Sequence, residues 1–206
     1  STLSKGISVS QLQLNGAAGQ DDNWLHTHGN YDQTRYYPGK QIYTGNVKNL
    51  RPKFTFQTEV LESMETAPIV VDGVMYVVTA RQKIVALDAT NGKVKWTFDS
   101  GIGTGNPTRG LAYWSDGRER RLFASVASYL YAIDAETGSS ISSFGDQGKI
   151  DLRANLRGAP EDNVFAATTP PVVYKDLLIV GGRVAETTPA SPGDERAYDV
   201  RTGAMR

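Results

Sequence analysis

Three polar residues of different chemistry occupy one place in a repeated segment of this chain: the carboxylate Glu65, the guanidinium Arg109 and the hydroxyl Thr168. Glu65 directly precedes Thr66-Ala67-Pro68. Setting Asp116-Gly117 on Asp72-Gly73 lays Arg109 over Glu65, and setting Thr169-Pro170-Pro171 on Thr66-Ala67-Pro68 lays Thr168 there too. In units repeated around an axis, equivalent positions converge on one small volume. A carboxylate, a guanidinium and a hydroxyl gathered in this way can hold a planar, polyanionic, carbonyl-rich ligand, with the arginine forking onto carboxylates or carbonyl oxygens. The repeat leaves a second reading open: Glu65 and Arg109 as an ion pair between neighbouring units, and Thr168 as a strand former. Glu186 closes a Gly181-Gly182-Arg183-Val184-Ala185-Glu186 stretch and offers an oxygen to a hard cation, or is a surface carboxylate.

Other chemically suggestive residues carry less. His26 and His28 lie two apart and could share one strand face, but a zinc site needs three or four ligands and the chain has no cysteine and no further histidine, so both are read as structural. Of Trp24, Trp96 and Trp114, Trp96 ends its repeat and is read as a packing plug between units. The run Gly101-Ile102-Gly103-Thr104-Gly105 lacks the Lys-Ser/Thr and the helix that a phosphate loop requires.

The elements that must position these residues follow from the same repeat. Ala-x-Asp-x-x-x-Gly occurs at Ala86-Asp88-Gly92, at Ala132-Asp134-Gly138 and, with Tyr198 in the second place, at Ala197-Asp199-Gly203. Each copy reads as a strand end, an Asp bonded to its own turn, and a Gly where the turn needs positive φ. Ahead of it lies an apolar hairpin: Pro68-Ile69-Val70-Val71 around Asp72-Gly73, and Pro171-Val172-Val173-Tyr174 around Lys175-Asp176. A unit of about four strands results. From Ala86 to Ala132 is 46 residues and from Ala132 to Ala197 is 65, which fits propeller blades of roughly 40 to 50 residues with an insertion in the second step, expected at residues 150–163 and 186–194.

The fold class is therefore all-β, a β-propeller represented by about three blades. Propellers have roughly 4 to 8, so the ring is expected to continue beyond Arg206. Equal numbers of basic and acidic residues, 22 each, exclude the charge footprint of a nucleic-acid binder. No run of about 20 apolar residues spans a membrane, and residues 1–20 lack the order of a signal peptide.

Asp21-Asp22-Asn23-Trp24, Gly29-Asn30-Tyr31-Asp32, Lys40-Gln41-Ile42 and Asn46-Val47-Lys48-Asn49-Leu50-Arg51-Pro52 resemble, in order and spacing, the mature amino terminus of the methanol dehydrogenase type of quinoproteins. The resemblance continues through Glu65 to Gly73 and Arg109-Gly110-Leu111-Ala112-Tyr113-Trp114. It implies an eight-bladed propeller dependent on pyrroloquinoline quinone (PQQ), with residues 1–50 as arm and closing segment and 51–206 as the first blades of a single domain. It further implies that Glu65, Arg109 and Thr168 contact PQQ and that Glu186 ligates calcium or a lanthanide. The expected substrate is a small alcohol or sugar, the electron acceptor a cytochrome or quinone, and the compartment the periplasm. The family's catalytic base falls beyond Arg206, so no catalytic residue is assigned here. Where methanol-type enzymes carry a vicinal disulfide this chain has Gly103-Thr104, and residues 181–199 are similar to the quinoprotein glucose dehydrogenases. A non-enzymatic periplasmic propeller that scaffolds protein partners is the alternative that fold likeness leaves standing.

Overall fold

The structure, a computed structural model, describes residues 9–102 and 106–206. Its strands are numbered β1 to β13 in chain order. β1 (Ile69–Val71), β2 (Val74–Val78), β3 (Ile84–Asp88) and β4 (Val94–Phe98) form one four-stranded antiparallel meander. A second comprises β5 (Ala112–Ser115), β6 (Arg120–Val126), β7 (Tyr129–Asp134) and β8 (Lys149–Asp151). Beyond a short pair made by β9 (Phe165–Ala166) and β12 (Arg183–Val184), the third sheet contains β10 (Val172–Tyr174), β11 (Leu177–Val180) and β13 (Arg196–Asp199). These are successive propeller blades, as the repeat requires. Both faces of the middle strands are apolar because each sheet lies between neighbours: β6 is buried from Arg121 to Val126 and β3 from Ile84 to Leu87.

The repeated turn is the same object three times. Asp88 Oδ1 accepts from the Thr90 N–H at 2.8 Å, Asp134 Oδ1 from the Glu136 N–H at 3.0 Å, and Asp199 Oδ1 from the Arg201 N–H at 2.9 Å. In each, the glycine N–H closes onto the Asp carbonyl at 2.8 to 2.9 Å. Gly92, Gly138 and Gly203 have φ of 74°, 76° and 73°, the left-handed region that costs glycine least.

Blades are joined through these turns. Trp96 lies on the next blade's turn, its Nε1 donating to Ala135 O at 3.2 Å, and a Cβ added at Gly138 would sit 2.7 Å from Trp96 Cδ2. Tyr76 donates to the same carbonyl at 3.1 Å. Trp96 is thus a plug between blades. Arg121, 3% exposed, links blade two to blade three by donating to Val200 O and Arg201 O at 3.1 and 2.7 Å while pairing with Glu119 at 2.6 Å. Ahead of the first blade, Phe54 lies against Gly92 as Trp96 lies against Gly138, and Phe56 packs on the Val77, Val85 and Leu87 cluster.

The insertion differs from its expected position. Ile150 belongs to β8, the fourth strand of blade two, so extra chain begins before that strand as well as after it. Residues 141–148 fold into a tight knot: Phe144, fully buried, packs on Phe123 at 5.5 Å between ring centroids, while Gln147 and Gly148 take φ of 52° and 89°. The anchoring is apolar burial of one aromatic, which leaves no periodicity to read. Residues 186–194 do lie between β12 and β13 without strand structure.

Candidate functional site

Glu65, Arg109 and Thr168 each stand where the chain enters a blade, and the three entries are stitched by main-chain bonds. The Ala67 N–H donates to Arg109 O at 3.1 Å, and the Arg109 N–H donates to Thr168 O at 2.9 Å. Backbone geometry therefore brings the side chains together. Arg109 Nη2 lies 3.0 Å from Glu65 Oε2, and Arg109 Nη1 donates to Thr168 Oγ1 at 3.2 Å. The ion pair proposed as the alternative is present, and so is the convergence. Since the Arg109 and Glu65 side chains are 50% and 44% exposed, their attraction is screened and adds no more than about 1 kcal/mol to stability.

Glu65 and Arg109 open onto a cavity of about 730 Å³ whose other walls include Trp24, Thr27, His28, Arg35, Tyr37 and Pro68. Trp24 is fixed by an antiparallel bridge to Val70, 2.9 Å in both directions, with its ring against Gly29. Arg35 Nε donates to His28 Nδ1 at 3.2 Å. Two guanidiniums, one carboxylate and two aromatic rings face this space, a surround suited to a flat anion. Arg35, Tyr37 and His28 were not singled out by sequence as cavity residues. They lie in the arm, outside the repeat, where no internal copy marks them. His26 is structural: its Nε2 meets Leu14 O at 3.1 Å and its ring lies 4.4 Å from that of Tyr31. Burial lowers the His26 pKa below its ordinary value, and the bond to the Leu14 carbonyl offsets this in part.

Glu186 does not join the trio. It lines a separate cavity of about 460 Å³ with Arg153, Asn163 and Arg183, is 86% exposed, and has Arg183 Nη2 at 4.0 Å. Among the described residues no group of three or more His, Asp or Glu stands close enough to hold a metal ion. Gly103-Thr104, at the place of the vicinal disulfide, and the Gly103 to Gly105 part of the discarded phosphate loop lie outside the described residues.

Consecutive antiparallel meanders joined through their turns define the β-propeller architecture. More narrowly, the chain belongs to the PQQ family described as glucose/ethanol/alcohol dehydrogenase, β-propeller domain, whose model matches residues 24–206. It is 35% identical to subunit 1 of the methanol dehydrogenase [cytochrome c] of Methylobacterium organophilum, over 90% of this chain and 29% of that protein. Against the quinoprotein glucose dehydrogenase of Escherichia coli (strain K12) the identity is 29%, over 90% of this chain and 26% of that protein. Among solved structures, the quinohemoprotein alcohol dehydrogenase of Comamonas testosteroni is similar with a TM-score of 0.79 and 26% identity, over 96% of this chain and 28% of that one. A europium-containing methanol dehydrogenase is similar with a TM-score of 0.74 and 27% identity, over 94% of this chain and 32% of that one. The chain thus spans between a quarter and a third of the length of these relatives.

Proposed function

We propose that Glu65, Arg109 and Thr168 form one wall of a PQQ cradle in a dehydrogenase that oxidises a small alcohol or sugar. The observation that carries this is their meeting, from three blades, beside a cavity with cationic and aromatic walls. Bound PQQ supplies a two-electron acceptor for hydride from the substrate carbon. The work of this chain is binding and orientation. Arg109 would hold carboxylate or carbonyl oxygens of a planar anion and favour the state carrying more negative charge. Glu65 fixes the guanidinium plane, and Thr168 limits its rotation from the other side. Arg35 adds positive charge across the cavity, and Trp24 and Tyr37 exclude water from a ring face.

Glu186 is proposed as at most one oxygen donor toward a calcium or lanthanide ion. Since calcium takes about 6 to 8 oxygens, the residues around Glu186 do not by themselves fit a metal centre, and no step above runs through one. A base from outside this chain, a cytochrome or quinone acceptor, and a periplasmic location belong to the same proposal. Among the described residues no helix is long and apolar enough to cross a membrane.

The test is a dye-linked oxidation assay with alcohols and sugars, given PQQ and calcium, on the full-length gene product and on the 206-residue chain. PQQ-dependent turnover is expected from the first and none from the second, to which one candidate metal donor and no catalytic base are assigned. Turnover by the chain would place the whole site within it; inactivity of both would favour a scaffold propeller.

A further inference from the structure

We infer that Gln82, in the β2–β3 turn of the first blade, is a positioning residue for Arg109. It is polar yet only 2% exposed, and its backbone is held at φ 59°, a region that non-glycine residues seldom occupy. That backbone conformation belongs to the turn, in which the Gln82 N–H donates to Thr79 O at 2.9 Å and the Thr79 N–H to Lys83 O at 2.8 Å; the buried amide is what the turn does not need. Its amide reaches out of its own blade: Nε2 donates to Asn106 O at 2.9 Å and to Thr108 Oγ1 at 2.8 Å, while Oε1 accepts from the Ala127 N–H at 3.0 Å.

Two of those partners lie on the chain that leads into Arg109, while Asn106 and Ala127 also line the second cavity, the one that Glu186 lines. Asn106 and Thr108 immediately precede Arg109, and Thr108, 3% exposed, passes its own hydroxyl hydrogen to Ser125 O at 3.4 Å. Ala127 begins the β6–β7 turn, where Ser128 Oγ donates to Phe165 O at 2.6 Å, three residues before Thr168. One buried amide on blade one therefore fixes the approach to Arg109 on blade two and, through Ser128, the approach to Thr168. A half-exposed guanidinium has many rotamers to lose on meeting a ligand, and a fixed main chain beneath it reduces that loss. Gln82 does not line the cavity beside Arg109, and its partners Asn106 and Ala127 line the Glu186 cavity, so it acts on Arg109 through the main chain and is not itself a ligand residue.

The inference rests on the cofactor reading above. Its test is a spectroscopic PQQ titration of the full-length gene product as wild type, Gln82→Met, Arg109→Lys and the double variant, with thermal melting of each cofactor-free form. Met fills the space of Gln without its hydrogen bonds. Loss of the three side-chain bonds to Asn106, Thr108 and Ala127, each worth about a factor of several and only partly transmitted to Arg109, gives an expected weakening of PQQ binding by about tenfold. In the Arg109→Lys background, where the planar fork is already gone, Gln82→Met should weaken binding by less than about twofold. A purely structural residue would lower the melting temperature and leave affinity unchanged, or shift affinity equally in both backgrounds; either result overturns the inference alone. Failure of the wild type to bind PQQ overturns the cofactor reading and this inference with it. Should Gln82→Met not fold, Gln82→Glu, which keeps the acceptor for Ala127 and removes the amide donors, is read by the same criteria.

Discussion

Residue by residue, the site divides into side chains that a repeat can expose and side chains that it cannot. Glu65, Arg109 and Thr168 were legible because superposing three copies puts unlike polar residues in one slot, and in the structure they touch. Gln82 and Arg35 gave no such signal: one is buried by partners from another blade, the other belongs to an arm without copies. His26 shows the complementary case, a residue with chemical potential spent on architecture. Its folded pKa lies below the ordinary 6.5, so the folded state binds fewer protons than the unfolded one. Its contribution to stability is present above about 6.5 and is lost as pH falls through that value toward the lower folded pKa. Thermal melting should therefore show a decline between pH 7.5 and 5.5 that is smaller in His26→Gln. An equal decline in both proteins would mean that His26 does not titrate with folding.

Elements were read most securely where local chemistry and period agree. The Asp turns, the hairpins around Asp72-Gly73 and Lys175-Asp176, and the plugging role of Trp96 all depend on contacts that short sequence patterns encode. Residues 141–148 were missed because Phe144 anchors them by long-range burial against Phe123, which no spacing announces. The blade junction is where element-scale packing can be tested. At Gly138 an alanine must accept φ 76° and a Cβ within 2.7 Å of Trp96. Gly138→Ala is expected to cost about 1 to 3 kcal/mol in chemical denaturation, whereas Gly73→Ala, with φ 78° but open space around it, should cost about 1 kcal/mol from backbone strain alone. Equal losses at the two sites would show that the Trp96 contact carries no weight.

For the whole molecule, the sequence sufficed to give an all-β propeller and its family because both are written in repeats and spaced motifs, and the family model covers residues 24–206. What a ring does depends on blades meeting across its axis, and the described residues form three blade sheets and a short two-stranded pair. The segment at residues 53–57 shows the consequence: Phe54 and Phe56 seat on blade one as Trp96 and Phe98 seat on blade two, in the position of an outer strand from a preceding blade. We propose that this segment, just past the residues 1–50 expected to close the ring, takes part in that closure in the full-length gene product, making the cradle a property of the closed ring. The most direct measurement is equilibrium PQQ titration of that product as wild type and as Arg109→Ala, with melting of the cofactor-free proteins as control. Saturable binding by wild type and at least about tenfold weaker binding by Arg109→Ala, at little changed melting temperature, is the expected result. Wild-type affinity retained without the Arg109 guanidinium would contradict the proposal that the convergence of Glu65, Arg109 and Thr168 is there to hold the cofactor.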